Sequence, residues 1–480
     1  MNFAQASKEQ FLEPETLSYS RILFAICPTG YYCREDRCQS FFSFELIPSM
    51  RAPMEECEGA AGLKAIGAEH LIIDAPAEEL SATEFLSQIK KFNPDLVILA
   101  VTFGSLESDT FWAKKIKAEF PQIKVGIRGA PAYTLAEKIL KQGEIDLCIK
   151  GDYELTMMGL SKYGLEQAPG VTYRDSHGNI KETKAEYAEC LDELPIPDRS
   201  TINSSLYKVR GLKAAQATIH VQRGCPFPCT YCLVHTVSGD KARHRSAESI
   251  VSEISTLQKQ GINFFYFRAE TFTLDKRWAL ALAKALQTHC KGIRWVTTTR
   301  VECVDQELLF ELKKAGCYGI SFGIDVASNT IGEKVKKTPK LKVAKKAMRM
   351  CDKAGIISLG YFMVGFVWET PETLRETEQF IKGARPNLIT IHYAHPYPGT
   401  VYFNDVAKEE VKLTSLKAQA EPAFLPKALK SSDLKSFSKR VFLKHYINPL
   451  VLYPIVIKLI PLFFISIRNR LVYQQLNARN

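Results

Sequence analysis

Ten residues constrain this chain more than any others: Arg223-Gly224-Cys225-Pro226-Phe227-Pro228-Cys229-Thr230-Tyr231-Cys232. Three cysteines fall at C-x3-C-x2-C spacing, directly after an apolar run at 217–222 that reads as a strand. A loop this compact can turn three sulfurs toward one point. Thiolates are soft ligands suited to iron–sulfur clusters or zinc. Structural zinc takes four ligands, and no fourth cysteine follows at zinc-ribbon spacing. Three sulfurs suit a [4Fe–4S] cluster with one iron left open to a small chelating molecule.

Strand and helix patterns alternate on both sides of this loop. Over 20–165, apolar runs at 21–27, 71–74, 95–101, 124–127 and 145–149 read as strands with helical stretches between them. That predicts a doubly wound parallel sheet. Over 213–408, strands are expected at 217–222, 264–268, 294–299, 319–323, 357–363 and 388–392, each followed by a helical pattern. Six βα units make a partial (β/α)6 barrel. Ligands on both architectures gather at strand carboxyl ends. Residues 166–212 read as a small hairpin and a proline-stiffened linker, and 409–480 as a mostly helical tail.

The cysteine loop resembles that of the radical S-adenosylmethionine (SAM) enzymes, through its spacing, the preceding Arg-Gly, Pro226 and the aromatic Tyr231. The resemblance extends over 213–408 and implies a [4Fe–4S] cluster on Cys225, Cys229 and Cys232. SAM would bind the open iron and be cleaved to a deoxyadenosyl radical. It also implies SAM contacts from Tyr231, Glu270, Arg300, Asp325 and Gly365. Glu270 stands where the family places an acid for the SAM amino group, and its other reading is a helix N-terminal acid. Asp325 replaces the usual Glu and is one methylene shorter. Phe366-Val367-Trp368 replaces small residues and a proline, a bulkier turn expected to narrow or shape the SAM end. Glu369-Thr370-Pro371 also reads as a helix start. His392 and His395 are strand-end candidates for facing substrate. Cys290, Cys303, Cys317 and Cys351 read as buried thiols.

Joined to such a loop, the first sheet resembles the cobalamin-binding domain of cobalamin-dependent radical SAM proteins. That implies cobalamin contacts at Thr29, Gly30, Thr102, Gly129 and Gly151, the last in Lys150-Gly151-Asp152-Tyr153-Glu154, similar to a Gly-Glu-x-Glu loop. Small hydroxyls and glycines at strand ends are also common turn chemistry. The loop at 28–39 lacks the histidine that ligates cobalt in the best-known signature, which puts His-on ligation out of reach and leaves cobalamin open. Its Arg34, Glu35, Asp36 and Arg37, packed between Cys33 and Cys38, either grip a polar ligand or form a solvated loop.

Thirteen cysteines in 480 residues, with a polar start at 1–20, point to a reducing, cytoplasmic setting and no signal peptide. Net charge is +11, yet 411–480 holds twelve Lys/Arg against Glu421 and Asp433, so the body is nearly neutral and no nucleic-acid partner is expected. Residues 449–467 are almost wholly apolar, broken by three prolines and Lys458. With basic flanks over 435–470 this reads as contact with an anionic membrane on its inner face, or as a helix packed over the barrel mouth. The resemblance implies an enzyme that takes electrons from a flavodoxin or ferredoxin. It would abstract hydrogen from a small-molecule or lipid-like substrate and methylate it with cobalamin. Radical cyclisation without methyl transfer is the alternative, and a non-catalytic iron–sulfur/cobalamin-binding module is the reading of another class.

Overall fold

The computed structural model describes residues 17–30, 51–209, 214–406, 422 and 425–458. The loop segment Cys33–Cys38 and the basic residues Arg468 and Arg470 lie outside them. Two seven-stranded sheets carry the chain.

The first sheet has the order β2-β1-β3-β4-β5-β6-β7. Its strands are β1 (Arg21–Ile26), β2 (Glu69–Asp74), β3 (Leu96–Ala100), β4 (Lys124–Arg128), β5 (Leu147–Ile149), β6 (Val171–Arg174) and β7 (Ile180–Glu182). The first five run parallel. β6 and β7 add antiparallel to that edge, so the hairpin expected in the connector extends this sheet. Strands β1 and β3 are buried almost throughout, which is why they read as continuous apolar runs without alternation.

The second sheet has the order β16-β15-β14-β13-β12-β9-β8. Here β8 is Lys208–Val209, β9 Ala214–His220, β12 Phe264–Arg268, β13 Arg294–Thr299, β14 Cys317–Asp325, β15 Ile357–Val364 and β16 Leu388–Tyr393. β9 and β12 to β16 are parallel, the six strands of a half-barrel. Between β9 and β12 the two-residue strands β10 (Gln222–Arg223) and β11 (Arg243–His244) pair antiparallel. Strands β13 to β15 alternate: one side is buried under the helices, the other half-exposed toward the barrel interior. Trp295, Phe267 and Phe322 are among the largest side chains of the helix-facing core.

Helix α1 (Met54–Ala65) joins the two sheets. Its Glu55, Glu56 and Glu58 are all buried. Each has a cationic partner: Glu55 pairs with Arg268 of β12, Glu56 with Arg128 of β4, and Glu58 with Arg223 of β10 at 3.0 Å, where His220 of β9 also bonds it at 2.7 Å. Buried carboxylates persist only when paired in this way. Burial nonetheless pushes the Glu56 and Glu58 carboxyls up.

Helix α2 (Ser431–Ile447) lies along the open edge of the half-barrel. Leu434, Phe437 and Val441 enter the second core, and the Tyr446 hydroxyl accepts from the β16 amide of Ile389 at 3.0 Å. A free strand edge is covered by this helix. Lys458 bonds Asp352, the Ile356 carbonyl and Asn387, groups at or beside the amino ends of β15 and β16. The tail therefore anchors at the base of the barrel, opposite the mouth that was the alternative placement. Among the described residues no helix is long and apolar enough to cross a membrane.

Candidate cluster and cofactor site

The cysteine loop leaves the carboxyl end of β9 through β10. Gly224 has φ +82°, and a Cβ there would stand 2.1 Å from the Lys241 carbonyl oxygen, so the loop closes only on glycine. Thr230 in its middle is held from two directions: its amide donates to the Val335 carbonyl at 3.1 Å, and its carbonyl accepts from the Tyr402 amide at 2.8 Å.

Two of the three thiols, those of Cys225 and Cys229, meet side chains from the ends of the barrel strands. Thr271, just past β12, has its hydroxyl 3.9 Å from Cys225 Sγ. Arg300, just past β13, stacks 3.9 Å over the Phe227 ring and points Nη1 at Cys229 Sγ, 3.7 Å away. Burial pushes the Cys225 thiol up and the Cys232 thiol to about 12; the negative charge of Glu270 adds to the rise at Cys225. Such thiols stay protonated unless a metal draws the proton off. Among the described residues no three His, Cys, Asp or Glu side chains converge as for a single metal ion.

Asp325 ends β14 in the left-handed region, φ 56°, after a bulge in the pairing with β15. Its Oδ2 accepts from the Tyr231 hydroxyl at 2.8 Å and pairs with Lys337. Lys337 is buried. Burial opposes its charge, but Asp325 and the Cys229 sulfur outweigh that and raise its pKa. The sequence concealed this lysine in a run of four (Lys334, Lys336, Lys337, Lys340) that reads as a solvated surface. Its only distinguishing signal was its place soon after the β14 acid.

Gly365, φ +85°, turns the chain off β15, and its amide donates to Glu369 at 3.0 Å. Thr370 caps the following helix with Pro371 in its first turn, as the helix-start reading expected. The bulky turn packs beneath the cysteine loop: Phe366 is buried edge-on to Tyr231 at 5.8 Å and to Tyr402 at 5.4 Å. Its size supports Tyr231. Glu270 is not a helix N-terminal acid, because Asp275 caps the helix after β12. His392 bonds Thr390 at 3.1 Å inside the barrel, its imidazole pushed down by burial. His395 is buried beside the Tyr397 ring. Cys290, Cys317 and Cys351 are buried, whereas Cys303 is half-exposed near Arg300 and Cys225.

On the first sheet, Gly30 and Gly129 sit past the ends of β1 and β4 with φ 106° and 110°. Among the described residues, nothing lies within 4 Å of where a Gly30 Cβ would be. Thr29 is beside it, bonded locally to Cys27. Thr102 and Ser105 cap each other across a short turn. A Cβ on Gly151 would meet the Glu186 carbonyl at 2.6 Å, so this glycine answers to the fold. Thr29, Gly30 and Gly129 thus lie on one side of the first sheet, past the carboxyl ends of its parallel strands.

Residues 219–381 match the family model of the Radical SAM superfamily. This stretch is a radical SAM domain, and the protein is a radical SAM enzyme, of a family that uses a [4Fe–4S] cluster and SAM. The chain is 28% identical over 394 residues to an uncharacterized methyltransferase of Pyrococcus horikoshii, covering 79% of this chain and 85% of that protein. It is 27% identical over 367 residues to the anaerobic magnesium-protoporphyrin IX monomethyl ester cyclase of Rubrivivax gelatinosus, covering 73% of this chain and 64% of the cyclase. Among solved structures, the radical SAM methyltransferase TsrM of Kitasatospora setae, with cobalamin and a [4Fe–4S] cluster bound, superposes with a TM-score of 0.66 at 16% identity. That match covers 90% of this chain and 94% of TsrM, and at this identity the likeness is one of fold.

Proposed function

We propose that Cys225, Cys229 and Cys232 hold a [4Fe–4S] cluster, and that the enzyme abstracts hydrogen from an unactivated carbon and methylates a small or lipid-like substrate with cobalamin. The observation that carries this is the loop of three thiols at the strand carboxyl ends, with the Arg300 guanidinium 3.7 Å from Cys229 Sγ. When bound, the cluster supplies the electron that splits SAM, and cobalamin supplies the methyl group.

The chain's own residues position the rest. Glu270, beside Cys225, offers a carboxylate to the SAM ammonium. Arg300 and Lys337 offer cations to its carboxylate. Asp325 holds Tyr231 in place, and Gly365 offers its backbone to the adenine. Thr298, Ser321, Tyr361 and His392 line the half-exposed side of the strands and face the substrate, a mixed aromatic and hydroxyl surface. Thr29, Gly30 and Gly129 would border cobalamin. An outside reductant such as flavodoxin or ferredoxin completes the set.

Contact with an anionic membrane is the matching reading of the tail. Lys435 and Lys439 are exposed on α2, and beyond them Leu443, Ile447, Leu450 and Tyr453 are 51–75% exposed. Co-sedimentation with anionic but not neutral vesicles is the expected result.

The deciding experiment is an absorption spectrum of protein made with cobalamin supplied and purified without oxygen. Corrinoid and cluster bands together are expected. A cluster band alone would remove methyl transfer and favour radical cyclisation.

A further inference from the structure

Because Arg223 of β10 lies opposite Arg243 of β11, residues 224–242 form one loop closed at its base by two arginines. All three cysteines sit on it. Two guanidiniums side by side repel unless an acid lies between them. Asp152, at the head of the helix Tyr153–Tyr163 on the first sheet, is that acid. Its Oδ1 is 2.9 Å from Arg223 and its Oδ2 is 2.6 Å from Arg243. Glu154 grips Arg223 with both oxygens, at 3.0 and 2.7 Å, and Glu58 of α1 meets it at 3.0 Å. None of these five side chains is more than 10% exposed. Paired charges in so dry a place are geometrically exacting.

Other groups tie the same region to the first sheet. The Tyr133 hydroxyl accepts from the Gly151 amide at 2.8 Å and donates to the carbonyl of Val237, within the loop, at 3.3 Å. Arg243 also donates to the Ala188 and Ser238 carbonyls. The Gly-Asp-Tyr-Glu loop thus turns its carboxylates toward the second sheet.

We propose that Asp152 and Glu154 are positioning residues for the cluster. Anchored in the first sheet, they hold the neck of the cysteine loop shut, and so set where Cys225, Cys229 and Cys232 stand relative to Glu270 and Arg300. The proposal rests on the cluster reading of those cysteines. It makes the first sheet part of the cluster's mounting, whatever that sheet binds.

The test uses full-length protein reconstituted without oxygen with iron and sulfide, as wild type, Asp152→Asn, Glu154→Gln and Asp152→Glu. Iron per chain, circular dichroism, midpoint potential and the electron paramagnetic resonance of the reduced cluster are measured, the last across a SAM titration. Asp152→Asn and Glu154→Gln are expected to keep wild-type dichroism while the resonance broadens. Their potential rises, because a negative charge near the cluster is lost. The SAM concentration that half-converts the signal increases at least tenfold. Asp152→Glu, which keeps the charge, restores part of each change. Wild-type resonance, potential and SAM response in both neutral variants would overturn the proposal alone. Should both neutral variants unfold, Arg243→Lys, which keeps the charge but loses the forked contact, is expected to broaden the resonance and weaken the SAM response with the potential unchanged, and wild-type resonance and SAM response there would overturn the proposal. A wild-type protein that takes up no cluster would overturn the cluster reading and this proposal together.

Discussion

The hydroxyl of Tyr231 donates to Asp325 at 2.8 Å, joining the residue before the last cysteine of the loop to the end of β14. Lys337 shares the same carboxylate oxygen. One acid thus orients the cysteine loop and balances a buried cation. A double-mutant cycle of Tyr231→Phe and Asp325→Asn should show a coupling of about 0.5–3 kcal/mol in thermal melts. Asn is the replacement of choice because it tolerates the left-handed backbone. Additive effects would contradict the link.

Gly224→Ala should be costly for a different reason. The new methyl would collide with the Lys241 carbonyl and the backbone would be strained, about 1–3 kcal/mol for the strain alone. The variant is expected to bind well under half of the wild-type iron after reconstitution, with a lower melting temperature. Full iron content would mean that the neck can open without loss.

Much of this architecture was legible before the structure. Every strand of the half-barrel from β12 to β16 was expected within two residues of where it lies, because buried strands rich in Phe, Ile and Val, punctuated by helix caps, carry their own period. The Cys loop, Arg300 and Asp325 were legible because they follow strand ends directly. Lys337 was not, because its burial depends on a bulge in β14 and a turn that no local pattern announces. Glu55, Glu56 and Glu58 look like an exposed helix start until Arg128 of β4, Arg268 of β12, Arg223 of β10 and His220 of β9 are brought to them. Partners that come from distant parts of the chain leave no trace in spacing.

Glu369 gives a pH-dependent prediction. Burial pushes its carboxyl from an ordinary 4.5 to about 7, against hydrogen bonds from Thr373 and the Gly365 amide. A folded value above the unfolded one means that its contribution is full below about pH 4.5 and is lost as pH climbs to about 7. At 1.36 kcal/mol per unit this is roughly 3 kcal/mol. Relative to wild type, Glu369→Gln should therefore gain stability between pH 4.5 and 7 in paired melting curves. A difference independent of pH would contradict the buried neutral carboxyl.

Lys458 fastens the tail to the base of the barrel through three acceptors at 2.7–2.8 Å. Lys458→Met removes all three bonds, and although Asn387 and Asp352 keep other donors, the loss is expected to cost about 1–3 kcal/mol. Limited proteolysis should then cut within 430–458 faster, while the cluster spectrum stays that of wild type. An unchanged cleavage rate would show that the helix is held by its apolar contacts alone.

The most direct test of the central claim is 5′-deoxyadenosine formation from SAM by the anaerobically reconstituted, reduced protein. The wild type should release it, and Cys229→Ala should release none while keeping its fold. No 5′-deoxyadenosine from a wild-type protein with its cluster intact, with or without candidate substrates, would contradict the assignment of this loop as the source of the radical.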